Sequence, residues 1–109
     1  MEFMTKLEEL VLIAVLKLKA EAYGTSIYNH ILALTGRDMT VSNVYFPLER
    51  LVRKGYLQAI QGEPTPKRGG MGKRYYRITK TGLAALQENR ALNLAAWRGV
   101  AGLMKRAEA

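Results

Sequence analysis

In the stretch TVSNVYFPLERLVRKGYL, the residues Ser42, Asn43, Tyr45 and Phe46 stand together at the start of an apolar-periodic run. A serine hydroxyl donates and accepts, an asparagine amide can do both at once, and a tyrosine hydroxyl can reach a charged oxygen. Downstream the chain turns basic. From Glu49 to Lys80 lie Arg50, Arg53, Lys54, Lys67, Arg68, Lys73, Arg74, Arg77 and Lys80, against Glu49 and Glu63 alone. Polar side chains beside a concentrated positive field suit a polyanion, most commonly a nucleic acid. The competing reading is a solvated basic surface. The whole chain shares the bias, with a formal charge of +8 over 109 residues.

Other chemistries lack their parts. There is no cysteine, so disulfides and thiolate metal sites are excluded, and His30 is the only histidine. No serine sits in a Gly-x-Ser-x-Gly context. The stretch RGGMGKR resembles a phosphate-binding loop only in its glycines: Lys67 stands where that pattern needs glycine, and Arg74 where it needs serine or threonine. No enzyme activity, cofactor or metal is expected. The longest apolar run, Leu10 to Leu16, is too short to span a bilayer. The N-terminal stretch carries Glu2, Glu8 and Glu9 rather than a basic lead and an apolar core, so it does not read as a secretory signal. A cytoplasmic protein without a membrane partner is expected.

The elements that must hold these side chains follow from spacing. Thr5-Lys6-Leu7-Glu8 has the form of a capping box, which starts a helix at Lys6. Its apolar residues, among them Leu7, Leu10, Val11, Ile13, Val15 and Leu18, cover most of its circumference. Burial on more than one side follows, and a single small domain offers too little cover for it. Ile27, Ile31 and Leu34 mark a second helix ending at Gly36. Val41, Val44, Leu48, Leu51 and Val52 mark a third, with Ser42 as its cap, Pro47 in its early turns and Gly55 at its end. Leu57 to Glu63 and Lys73 to Thr79 read as strands, with Tyr76 and Ile78 on one face of the second. Pro64 to Gly72 between them is a projecting basic loop, a wing.

Thr79 then caps a closing helix that should run unbroken to about Lys105, with Leu83, Leu86, Arg90, Leu94, Trp97, Ala101 and Met104 along one seam. Such a helix, about 40 Å long, outreaches a small body and calls for a second copy of the chain. Trp97, the sole tryptophan, has Ala95, Ala96, Gly99, Ala101 and Gly102 around it. It either fills a dimer core or leaves room beside its ring for a flat aromatic ligand.

Three helices, a basic hairpin and a long closing helix form the order of a winged helix-turn-helix, an α+β and mainly α fold. One domain over residues 1–109 is expected, with the helix-turn-helix and wing at 5–79 and a dimerisation helix at 80–106. In that fold the third helix presents its N-terminal residues to the major groove. There Asn43 suits bidentate contact with adenine and Tyr45 a phosphate oxygen, while Phe46 packs or meets a thymine methyl. The expected DNA-binding set is Thr40, Ser42, Asn43, Tyr45 and Arg50, joined by Lys67, Arg68, Lys73 and Arg74 of the wing. The expected dimer interface is Leu10, Leu83, Leu86, Leu94, Trp97, Ala101 and Met104. A rival reading is a winged-helix module whose basic face docks an acidic protein and whose DNA affinity is only non-specific.

The sequence also resembles the PadR family of transcriptional regulators, in particular its short members without a separate C-terminal domain. The resemblance runs from LEELVLIAVLKLKAEAYGTSIY through SNVYFPLERLVRKGYL to GEPTPKRGGMGKRYYRITKTGLAAL, and loosens beyond Asn89. Its most specific pieces are Tyr-x-Pro-Leu-x-x-Leu-x-x-x-Gly from Tyr45 to Gly55, and Tyr76-Arg77-Ile78-Thr79 with Gly82. It implies a homodimer on pseudo-palindromic promoter DNA, usually repressing, and in some members released by small aromatic compounds. It further implies that Tyr45 contacts DNA, that Lys67 to Arg74 touch the backbone or minor groove, and that the helix after Thr79 joins the subunits.

Overall fold

The computed structural model describes residues 2–62 and 72–108. The chain opens on the capping box: the Glu8 N–H donates to the Thr5 hydroxyl at 3.0 Å, and the Thr5 N–H to the Glu8 carboxylate at 2.9 Å. Helix α1 spans Lys6–Leu18 and passes through a 3-10 turn at Lys19–Glu21 into α2, Gly24–Thr35. Gly36 ends α2 in the left-handed region, φ +64°, its N–H returning to Leu32. Helix α3 covers Ser42–Arg53. The Tyr28 hydroxyl, donating to the Met39 carbonyl at 2.7 Å, holds the intervening turn against α2.

Strands β1, Leu57–Gln61, and β2, Arg74–Ile78, pair antiparallel, with Leu57 opposite Ile78 and Gln61 opposite Arg74. Tyr23 adds a single bridge to Tyr75 on the far side of β2, and the Tyr76 N–H donates to Ala22 at 2.9 Å. The hairpin is thereby tied to the start of α2. Both strands are shorter than their patterns suggested, and Glu63, like Lys67 and Arg68, lies outside the described residues. The alternation on β2 holds: Tyr76 is buried and Ile78 packs against the core.

The core is built from α1 (Val11, Leu12, Val15), α2 (Ile27, Ile31), α3 (Val44, Leu48, Leu51) and the sheet (Leu57, Tyr76). Leu34, expected on the inner face of α2, is instead exposed in its last turn. Helix α1 packs against α2, α3, β2 and the helix that follows the hairpin, so it is covered on more than one side, with Leu7 and Leu10 half-buried and Leu16 exposed.

Two expectations fail. Ser42 is not the cap of α3, because Val41 already has helical dihedrals (φ −58°, ψ −35°). The start is closed by Asn43, whose side-chain oxygen accepts from both the N–H and the hydroxyl of Thr40, at 2.9 and 3.1 Å. Pro47 follows fully buried, so core packing offsets the hydrogen bond it cannot make. The closing helix is not continuous either: α4 runs Lys80–Trp97 and α5 Val100–Glu108. Gly99 between them takes φ +78°, a conformation open to glycine at little steric cost, and the chain turns there.

Helix α4 is fixed at its beginning. Thr79 accepts from the Gly82 N–H at 3.0 Å and donates to the Gly55 carbonyl at 2.6 Å. Gly82 lies so close to the backbone of Tyr56 that a Cβ there would stand 2.8 Å from its carbonyl carbon.

Candidate nucleic-acid interface

The first turn of α3 carries Ser42, Asn43, Tyr45 and Phe46 outward, all exposed, while Val44 and Leu48 point into the core. Phe46 is 61% exposed, so it does not pack within the chain. Thr40 is exposed beside them and bound to Asn43. That bond narrows what Asn43 can do. Bidentate contact with adenine needs the amide oxygen free to accept, and here Thr40 fills both of its lone pairs. The amide nitrogen remains, a donor suited to guanine O6 or N7, thymine O4 or a phosphate oxygen.

A groove separates this turn from the foot of the wing. Tyr23, Gly24 and Thr25 at the start of α2, Tyr45 and Glu49 on α3, and Gly72, Lys73, Arg74 and Tyr76 on the hairpin line it. Lys73 is set by a cation-π contact, its Nζ 3.8 Å from the centroid of the Tyr23 ring. Tyr23 in turn meets Tyr75 edge-on at 5.7 Å. The Arg74 guanidinium lies 5.7 Å from the Tyr76 ring. Tyr45, Lys73 and Arg74 of the expected set are thus brought to one groove, with Ser42 and Asn43 one helical turn away. Sequence reasoning missed Tyr23, Gly24 and Thr25, which read only as a break between helices.

Arg50 faces elsewhere. Its Nε is 3.7 Å from the carboxylate of Glu8, which is 1% exposed at the start of α1. Lys54 donates to the same carboxylate at 2.9 Å and also pairs with Glu2. Burial pushes the Glu8 carboxyl up, but the Thr5 N–H and the Lys54 ammonium outweigh it and hold it below its usual 4.5. Its carboxylate partners, Glu2 foremost, raise the Lys54 ammonium above 10.5. Glu8 was legible as a cap; its second task, gripping the C-terminal end of α3, had no local signal.

Most of the expected interface residues on α4 and α5 are uncovered. Leu83, Leu94, Trp97, Ala101 and Met104 are exposed, while Leu86 and Leu10 are half-buried. Trp97 is the last residue of α4, and its ring is 62% exposed beside the Gly99 turn. Among the described residues, no group of three or more His, Cys, Asp or Glu could hold a metal ion. No helix among them is long and apolar enough to cross a membrane.

A three-helix body, a two-stranded hairpin beside the third helix and an exposed polar first turn on that helix define a winged helix-turn-helix of the DNA-binding type. Residues 12–88 match the Transcriptional regulator PadR-like family. The chain belongs to that family. Among solved structures it is similar to a PadR family transcriptional regulator from Eggerthella lenta DSM 2243, at 28% identity and TM-score 0.68, covering 87% of this chain and 80% of that one. A PadR-like transcriptional regulator from Bacillus cereus strain ATCC 14579 shares the fold at 20% identity and TM-score 0.66, over 93% and 89% of the two chains. A PadR family transcription regulator from Clostridium difficile R20291 does so at 17% identity and TM-score 0.64, over 96% and 100%. No curated protein matches the sequence.

Proposed function

We propose that the protein is a homodimeric, sequence-specific DNA-binding repressor that acts in the cytoplasm. The observation that carries this reading is the exposed first turn of α3, standing beside a groove that brings Tyr45, Lys73 and Arg74 together. The first turn reads base edges from the major groove, and the hairpin foot holds the backbone. In sequence, the loop between the strands adds Lys67 and Arg68 to the expected contacts.

The uncovered side chains on α4 and α5 support the dimer. Two copies joined through them would set their recognition helices one DNA turn apart, about 34 Å. The same junction would enclose Trp97, and a flat aromatic molecule stacked on its ring would there act as the releasing effector.

Fluorescence anisotropy at about 150 mM salt, with DNA from upstream of the protein's own gene and a scrambled duplex of equal length, tests the reading. A preference of about 10³ or more is the expected result. Affinity for the preferred duplex should also fall about 10³- to 10⁵-fold between 50 and 200 mM salt. Equal weak binding to every duplex tried, genomic fragments included, would turn the assignment toward a module whose basic face docks an acidic protein.

A further inference from the structure

We propose that Gly24 is the positioning residue of a seat for one DNA backbone phosphate, built where the start of α2, the Tyr45 phenol and the foot of the wing meet. The inference rests on the DNA-binding reading above and adds a residue that has no polar side chain of its own.

Nothing in the backbone at position 24 calls for glycine. The described glycines with positive φ are Gly36, Gly55 and Gly99, and Gly24 is the first residue of an ordinary helix, where alanine is the better helix former. The missing side chain is required by Tyr45. A Cβ on Gly24 would stand 2.7 Å from Tyr45 Cζ and 3.0 Å from Cε1, and closer still to the hydroxyl oxygen. Those separations are below van der Waals contact, so any larger residue at 24 pushes the phenol off the first turn of α2.

The place it would leave is the groove wall that Tyr45 shares with Lys73 and Arg74. A phenol O–H, an ammonium held over the Tyr23 ring at 3.8 Å and a guanidinium are three donors that a phosphate accepts. Glu49 on the same wall leaves two cations against one carboxylate, a net charge suited to a single phosphate oxygen pair. Tyr23 and Tyr45 thus do related work: one places the ammonium and the other supplies the hydroxyl. Gly24 allows the second by its absence of bulk.

A double-mutant cycle tests this. Wild type, Gly24→Ala, Tyr45→Ala and the double variant are compared by anisotropy on the preferred duplex across a salt series, and by thermal melting. Gly24→Ala should weaken binding about tenfold, the cost of one lost contact to a charged group. The slope of log affinity against log salt should hold, because the phenol carries no charge and releases no counterion, whereas Lys73→Ala should lower it by about one unit. In the Tyr45→Ala background the same change should cost no further affinity, because the phenol it displaces is already gone, and the melts check that each variant is folded. Additive affinity losses in the cycle, undiminished binding by Gly24→Ala, or a salt slope unmoved by Lys73→Ala would overturn the seat while leaving DNA binding intact. Absence of binding by wild type to any duplex would overturn the DNA reading and the seat with it.

Discussion

Between residues 5 and 79 most of the described large apolar side chains bury one another, whereas between 80 and 108 most face outward. Leu12, Ile27 and Leu48 are wholly shielded; Leu94 is 59% exposed, Trp97 62% and Leu103 59%. The described core draws every one of its fully packed members from the body and none from α4 or α5. Burying a leucine-sized side chain is worth about 1.5 to 3 kcal/mol, so the body is stabilised by itself and the arm is not. On the dimer reading, the two regions should respond to mutation differently: the first in unfolding free energy, the second in association.

The sharpest separation comes from truncating a leucine in each. Leu48→Ala should cost about 2 to 5 kcal/mol of unfolding stability in a chemical melt. Leu94→Ala should cost under about 0.5 kcal/mol at a dilution where the protein is monomeric. Equal losses at that dilution would erase the distinction.

Glu8→Ala should come next, at about 3 kcal/mol, because it leaves Lys54 and Arg50 without their buried partner and opens the α1 cap. The sign with pH is fixed by the lowered carboxyl. Its folded-state value lies below the usual 4.5, so its contribution is present above that value and fades as pH falls through the folded one. The variant should lose stability at neutral pH yet show a flatter acid decline than wild type in melts from pH 7 to 3.

Trp97→Ala should weaken association by about 2 kcal/mol, a thirtyfold rise in dissociation constant by sedimentation, while leaving the dilute melt unchanged. The smallest effect belongs to Asn43→Ala, about 1 kcal/mol from the lost cap at the start of α3. Its effect on DNA binding sharpens the picture inside the body: with the amide oxygen committed to Thr40, the variant should not selectively relax preference at an adenine. A loss confined to one A·T pair would mean that the cap opens on binding.

What could be read from the sequence was local. Thr5 with Glu8, Thr79 before Gly82, and Gly36 after Ile31 announce helix ends because their capping bonds lie within five residues of themselves. The alternation of Tyr76 and Ile78 likewise records a single strand with one covered face. What escaped depends on remote contacts or on choices the residue type leaves open. Gly99 and Gly102 stand three positions apart beside one seam; the first breaks the helix and the second stays inside α5. The spacing of the seam is blind to that difference. Asn43 invites assignment as an adenine reader, and only its geometry with Thr40 shows that its amide oxygen is already engaged. Gly24 looks like a helix breaker until the phenol from α3, 21 residues on, is found against it. Arg50 belongs to a basic run, yet its guanidinium turns to a carboxylate 42 positions earlier.

The junction at Gly82, where α4 meets the backbone of Tyr56 and Thr79 grips Gly55, has a mechanical meaning. It pins one end of a rod of 18 residues about 27 Å long, which becomes a lever once the Asn93 amide lets go of Glu9 on α1, 3.2 Å away. A tilt of about 10° at the pin would carry the free end about 5 Å, well over one base-pair step of about 3.4 Å. In a pair of chains clasped through their rods, a small change of angle at Gly82 would be geared into a misfit of more than one step along the double helix.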